Sequence, residues 1–198
     1  MKTSQTLLLS SILLNSCGNS NSKNDNQVKV GDNHASTAEK SSDLTKNNED
    51  VIDEHTLSNY KEVATTHLNL DLSVDFDSKS ISGVAKHTID NKTGADKIIF
   101  DSKYLVIEKV ILNDSEEAQF SLGEFDELLG TSLEVAINKE TKTVSIYYKT
   151  TDKTEALDWL VAEQTANKTS PFMYTQGQSI FTRSWIPLQD SPELRITY

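Results

Sequence analysis

Leu68-Asn69-Leu70-Asp71-Leu72-Ser73-Val74-Asp75-Phe76 alternates apolar and polar residues without a break. Successive side chains of a strand point to opposite faces, so a period of two predicts a half-buried β-strand. Asp77-Ser78-Lys79-Ser80 reads as a turn and Ile81 to Ile89 as the returning strand. Gly83 inside that strand marks a bulge or a close approach of backbone. Further along, Asn91-Lys92-Thr93-Gly94 is a turn signal, Ile98-Ile99-Phe100 a short strand, and Leu105 to Leu112 a longer apolar one. Leu133, Val135 and Ile137 alternate, Asn138 to Lys142 supplies a turn, and Val144, Ile146 and Tyr148 alternate on the return. Turns at this spacing predict an all-β sandwich or curved sheet, with antiparallel pairing as the default because the connections are too short for helical crossovers. Only Glu155 to Gln164, with Leu157, Leu160 and Val161, has the pattern of a short helical turn. Leu194 to Tyr198 alternates like the opening of a new strand, and a domain rarely ends on a bare pairing edge. The expectation is a sequence truncated there.

Toward the N-terminus the pattern fades. Residues 1–16 read as an export signal, with Lys2 as the positive region and Leu7 to Leu14 as an apolar run too short to span a bilayer. Leu14-Asn15-Ser16-Cys17 resembles a bacterial lipobox, apart from Asn15, and implies lipidation at Cys17. The alternative is an ordinary cleaved signal with an incidental cysteine. Residues 17–54 contain no aromatic residue and no proline, and their apolar residues are scattered singly. Such a stretch cannot bury enough apolar surface to offset its ordering entropy, so it is expected to be a flexible linker between membrane and body. The β body is then residues 55–198, and the expected location is the bacterial cell envelope, lipid-anchored and facing the periplasm or the exterior.

The formal net charge is −11. An acidic chain repels phosphate backbones and anionic headgroups, which argues against a nucleic-acid partner and makes any membrane contact depend on the anchor. A single cysteine excludes an intramolecular disulfide and a cysteine-rich zinc finger. The four histidines, His34, His55, His67 and His87, form no H-E-x-x-H pair, and neither a glycine-rich phosphate loop nor a G-x-S-x-G elbow is present. His67 and His87 fall in strand patterns and read as core or surface residues rather than metal ligands.

One segment carries more information: Pro171-Phe172-Met173-Tyr174-Thr175-Gln176-Gly177-Gln178-Ser179-Ile180-Phe181-Thr182-Arg183-Ser184-Trp185-Ile186-Pro187-Leu188-Gln189-Asp190-Ser191-Pro192. Gln176 and Gln178, two apart, would share one strand face, with Gly177 between them permitting close backbone approach. Paired carboxamides suit a peptide backbone or an ammonium, although an exposed polar strand fits the same residues.

The segment resembles the gluzincin zinc aminopeptidases, specifically the leukotriene hydrolase and its bacterial aminopeptidase relatives. These carry a run like P-[FY]-[LM]-[FY]-[ST]-Q-x-Q, then an Arg, then a P-x-Q-D-[ST]-P turn, here matched by Gln176, Gln178, Arg183, Pro187, Gln189, Asp190 and Pro192. Thr66 to Phe76, Phe100 to Val110 (resembling a buried strand pair), Ala156-Leu157-Asp158-Trp159-Leu160 and Glu163-Gln164-Thr165 match further blocks in the same order.

The resemblance implies a saddle-like all-β domain, antiparallel or mixed, that packs over a separate catalytic domain. That other domain would hold the zinc, so no metal site and no catalytic residue is expected in this chain, which should be inactive alone. Gln176, Gly177 and Gln178 would line the pocket for the N-terminus of a peptide substrate. The wider family places a Glu where the leukotriene hydrolase branch, like this chain, has Gln178. Arg183 and the Pro187–Pro192 turn read as structural. The other class of function is a non-catalytic surface β-sandwich lipoprotein that binds peptide or protein.

Overall fold

A computed structural model of the chain describes residues 53–198. The expected signal, Cys17 and nearly all of the expected linker lie outside those residues. The described part is built from ten strands: β1 (Val63–Asp75), β2 (Ser80–Asn91), β3 (Lys97–Ser102), β4 (Leu105–Leu112), β5 (Glu116–Glu117), β6 (Phe120–Leu122), β7 (Thr131–Ala136), β8 (Thr143–Thr150), β9 (Leu157–Leu160) and β10 (Phe172–Thr175). They form a five-stranded sheet of order β1-β2-β8-β4-β5, a three-stranded sheet of order β3-β7-β6 and a two-stranded ribbon of β9 and β10. Every pairing between these strands is antiparallel. The all-β expectation therefore holds.

The alternation from Leu68 to Asp75 lies in the longest strand, β1. Leu68 is buried and Leu70, Leu72 and Val74 are half-buried, while Asn69, Asp71, Ser73 and Asp75 are exposed. Gly83 lies opposite Leu72, and a Cβ there would meet the Asp71 carbonyl oxygen at 2.1 Å. Its φ of 152° also lies where L-residues are strained, so glycine is required by backbone proximity.

The main core joins the two larger sheets. Val63, Ile89, Val110, Val144 and Ile146 from one pack with Ile98, Phe100, Leu133 and Val135 from the other, all with almost no exposure. A second core gathers Leu68, Ala85, Leu105 and Tyr148 with Ile186 and Leu188. His87 is fully buried beside Phe100, with ring centroids 4.6 Å apart. Its Nε2 lies 3.0 Å from the Pro187 carbonyl oxygen, which can only accept, so Nε2 carries the proton and Nδ1 accepts from the Thr65 hydroxyl at 3.3 Å. It is a satisfied core residue, as the strand pattern implies. Burial pulls its pKa down to about 4.

Three expectations are corrected. First, β7 and β8 do not form a hairpin: β7 pairs with β3 and β6, and β8 with β2 and β4. Asn138–Lys142 instead carries the chain from one sheet to the other, because Leu133 and Val135 on one side and Val144 and Ile146 on the other face each other across the core. The Phe100–Val110 stretch divides likewise, with β3 and β4 in different sheets. Second, Leu157–Leu160 is strand β9, paired with β10, and only Ala162–Gln164 is helical, a single 3-10 turn. Cross-strand partners Met173 and Phe172 hold Trp159 and Leu160 extended, and Trp159 packs edge-on against Phe76 at 5.5 Å. Third, Leu194–Tyr198 forms only one bridge, from Thr197 to His67, and that bridge is parallel.

Candidate functional site

The segment from Pro171 to Pro192 enters as β10 and then leaves the ribbon. The Gln176 N–H continues the ladder to the Ala156 carbonyl at 2.9 Å, and extended structure stops there. Gln178 begins a turn that leads into a 3-10 turn at Thr182–Ser184. Gln176 and Gln178 therefore do not share a strand face. The Gln178 backbone N–H points back to the Gln176 side-chain oxygen at 3.4 Å. Gly177 is a point of close approach: the Phe181 N–H bonds to its carbonyl at 2.9 Å, and a Cβ would meet the Thr182 hydroxyl at 2.2 Å. The Gln178–Ser179 peptide bond is cis. Both glutamines are exposed, and the Gln178 carboxamide has no hydrogen-bond partner among the described residues.

Below this lip the chain is fixed by Arg183. Its guanidinium is fully buried. Nη1 donates to the Leu129 carbonyl at 2.9 Å, Nη2 to the carbonyls of His55 at 2.7 Å and Asp190 at 3.1 Å, and Nε to the Asp190 carboxylate at 3.2 Å. Asp101, also fully buried, lies 3.5 Å from Nη1. Its carboxylate accepts from the backbone of Leu57 and Asp190 and from the Thr56 hydroxyl. Burial pushes the Asp190 carboxyl above its ordinary pKa, against the pull of Arg183, while the charge of Asp101 adds to the rise. Asp101 and Leu188 exchange backbone hydrogen bonds at 2.7 and 3.2 Å, which lays the segment along the edge of β3.

Gln189 completes the anchorage. Its side-chain oxygen accepts from the Thr65 N–H at 2.9 Å and its nitrogen donates to the Val63 carbonyl at 2.9 Å, so the carboxamide acts as one peptide unit of an added strand. It does so beside the bulge between Thr65 and His67.

A cleft of about 420 Å³ opens against Gln178, Ser179 and Ile180 on one side and Asp53, His55, Asp190, Ser191 and Pro192 on the other. Asp53 is tied to the Ser191 hydroxyl at 2.6 Å and the His55 N–H at 2.9 Å. Burial raises its pKa, but the hydrogen bonds from Ser191 and the His55 backbone outweigh it, so the carboxyl titrates below its usual value. Of Gln176, Gly177 and Gln178, only Gln178 lines this cleft; the Asp53–His55 wall opposite it left no sign in the sequence, because it comes from a stretch about 125 positions away with no motif of its own. Among the described residues no three His, Cys, Asp or Glu side chains gather in a way that could hold a metal ion. These residues do not fit a zinc site.

Residues 59–198 match the family described as the peptidase M1 N-terminal domain. Among curated relatives, the chain is 37% identical over 155 residues to a leucine aminopeptidase 2 of Chaetomium globosum, covering 75% of this chain and 25% of that protein. A leukotriene A-4 hydrolase homolog of Botryotinia fuckeliana is 33% identical over 153 residues, covering 74% and 24%. Among solved structures, native yeast LTA4 hydrolase aligns with a TM-score of 0.70 at 32% identity, over 76% of this chain and 24% of that one. The bestatin complex of yeast LTA4 hydrolase aligns with a TM-score of 0.68 at 33% identity. The chain spans about a quarter of the length of the relatives it matches.

Proposed function

The chain belongs to the peptidase M1 N-terminal domain family, and we propose on that basis that it is the domain that contributes to the substrate pocket of a zinc metalloaminopeptidase removing N-terminal residues from peptides. The observation that carries this reading is the contrast within residues 171–192: the carboxamide of Gln178 is exposed beside a cleft and has no hydrogen-bond partner among the described residues, while the segment from Arg183 is buried and tied down by the hydrogen bonds of Arg183 and Gln189. Unpaired amide groups on a rigid base are what a pocket lining needs, since the geometry is set before the ligand arrives. The chemistry at the scissile bond would belong to a zinc-bearing catalytic domain outside the residues described, which is also the partner this domain would pack against. Zinc in such enzymes activates water and polarises the carbonyl. This chain's part is to bind and orient the peptide terminus through Gln176, Gly177 and Gln178.

The decisive experiment is steady-state kinetics with an aminoacyl chromogenic substrate on the full-length protein that carries this domain. Reading the coding sequence past Tyr198 for G-x-M-E-N and H-E-x-x-H comes first. An intact gene with a stop codon after Tyr198 would favour the peptide-binding lipoprotein instead. The envelope location is part of the same proposal: Cys17→Ser should release the protein from the membrane fraction, and an intact mass without acyl groups sinks the anchor.

A further inference from the structure

Ser184 is fully buried in the 3-10 turn beneath the lip, and its hydroxyl is saturated. Oγ donates to the Phe181 carbonyl at 2.7 Å and accepts from the Glu155 and Ala156 N–H groups, each at 3.2 Å. A hydroxyl has one donor and two lone pairs, so every bonding site of this oxygen is used. Its partners come from both sides of the lip. Ala156 precedes β9, and its carbonyl receives the Gln176 N–H at 2.9 Å. Phe181 follows the lip, and its N–H bonds to the Gly177 carbonyl at 2.9 Å. Gln176, Ala156, Ser184, Phe181 and Gly177 thus close a ring of hydrogen bonds around the neck of the loop that carries Gln178.

Each side of that neck also has support that does not depend on the hydroxyl. The Ser184 N–H reaches the Phe181 carbonyl at 3.0 Å and the Trp185 N–H reaches the Thr182 carbonyl at 3.0 Å, so the turn keeps its own backbone bonds. Glu155 is held by Lys103, whose Nζ lies 2.9 Å from the carboxylate and whose backbone N–H bonds to the Arg183 carbonyl at 2.9 Å. What the hydroxyl adds is the register between the two sides. The hydrogen bonds that join the entry of β9 to the turn run through this one oxygen. The side chains of the lip do not set that register. Gln176 bonds to the N–H of Gln178 within the lip itself, and the Gln178 carboxamide has no hydrogen-bond partner among the described residues.

We propose that Ser184 is a positioning residue: its hydroxyl sets where the Gln178 carboxamide stands against the peptide terminus. Being fully buried, Ser184 touches no substrate and acts through the lip alone. The inference rests on the reading that Gln178 lines the substrate pocket. Orientation is sensitive to small displacements, and a shift of about 1 Å from a substitution away from the chemistry can cost orders of magnitude in rate. Without the hydroxyl, the turn and the entry of β9 each keep their own bonds, but they are free to slide past one another. The fold then survives while the aim of Gln178 is lost. A Ser184 that merely supported the fold would instead lower stability and leave the contribution of Gln178 intact.

The test is a double-mutant cycle on the full-length protein that carries this domain, read by steady-state kinetics with an aminoacyl chromogenic substrate. The variants are Ser184→Ala, Gln178→Ala and the two together, each checked for zinc content and assayed well below its unfolding midpoint. Ser184→Ala should lower kcat/KM about five-fold in the folded, zinc-loaded protein, and by less than about two-fold once Gln178 is replaced. Ser184→Thr, which keeps the hydroxyl, should recover most of the loss. If its extra methyl prevents folding, the cycle alone decides. A clear loss in Gln178→Ala beside wild-type efficiency in Ser184→Ala overturns the positioning role and leaves the pocket reading standing. So does an equal fold-loss from Ser184→Ala in both backgrounds, or a folded Ser184→Thr as impaired as the alanine variant. Wild-type efficiency in Gln178→Ala removes the pocket reading, and the positioning role with it.

Discussion

From Phe172 to Ser179 nearly every residue is exposed, whereas from Arg183 to Ser191 nearly every residue is buried. The two stretches lie within one motif and are separated by three residues, yet they solve opposite physical problems. The second must satisfy a buried guanidinium and two carboxylates, and it does so with backbone carbonyls, backbone N–H groups and one another. The first leaves the Gln178 side-chain amide without a hydrogen-bond partner among the described residues. A buried ion cluster is costly to assemble and much costlier to leave half-made, so its geometry tolerates little change. An exposed carboxamide contributes almost nothing to folding and remains available to a ligand. The difference separates residues that hold the loop from residues that could use it.

The largest effect should come from breaking the base. Arg183→Met would leave Asp101 and Asp190 buried without their cation, and removing one partner of a buried pair costs about 3–5 kcal/mol. Equilibrium urea unfolding should show a loss of that size, with Arg183→Lys recovering only part because lysine lacks the planar fork. A loss within about 0.5 kcal/mol, the range of ordinary surface substitutions, would show that the cluster is not what secures the segment.

His87 gives a second break, through pH. Above pH 6.5 the histidine is neutral in both folded and unfolded chains and adds no pH dependence. Between 6.5 and about 4 only the unfolded chain takes up the proton, so stability falls as pH falls across that window. The full drop is about 3 kcal/mol at about 1.4 kcal/mol per pH unit. Asp190, with its raised pKa, works in the opposite direction at the acidic end, and comparison with His87→Gln isolates the histidine. Unfolding curves from pH 7 to 5 should slope in the wild type and flatten in the variant. Parallel curves would place His87 outside the linkage.

A smaller loss is expected from Gln189→Ala. It strands the Thr65 N–H and the Val63 carbonyl beside the bulge, at about 1–3 kcal/mol for a buried group left unsatisfied. Unchanged stability would mean that the bulge can relax onto another partner.

What could be read beforehand follows the same division. The alternation in β1 was legible because burial on one face leaves a period of two, and Leu105–Leu112 emerged with the bounds its apolar run predicts. Arg183 could be taken as structural from its place in the motif, but its partners at His55, Asp101 and Leu129 come from three other parts of the chain and leave no local trace. The pairing of β7 and β8 was misread because a short turn between alternating strands looks identical whether the chain folds back or crosses to another sheet. Leu157–Leu160 looked helical because four residues hold too little pattern to outweigh the cross-strand contacts of β10. The glutamines were singled out by their place in the motif, and the shared strand face expected of them is absent because the chain turns at Gln178, where the Phe181 N–H bonds back to the Gly177 carbonyl.

The smallest free-energy change should fall on the lip, and there it should appear in activity instead of stability. Enzymes with a glutamate at the position of Gln178 can form a charge-assisted bond to a substrate ammonium, and a neutral carboxamide forms a weaker one. More of the amine recognition would then rest on the catalytic domain, with Gln178 binding a peptide carbonyl or the amine through neutral hydrogen bonds. Losing one such bond costs about 0.5–1.5 kcal/mol, more if a buried partner is stranded. Gln178→Ala in the full-length protein should therefore lower kcat/KM by roughly ten-fold. Its unfolding midpoint should not move, because the side chain it removes makes no contact that supports the loop, and its zinc content should stay that of the wild type. Gln178→Glu sharpens the comparison: restoring a carboxylate should strengthen ammonium binding and lower KM. Arg183→Lys, by contrast, should lose stability before it loses activity. Wild-type efficiency in a folded, zinc-loaded Gln178→Ala would mean that the exposed half of the motif is scaffold like the buried half, and that its lack of partners has no bearing on substrate.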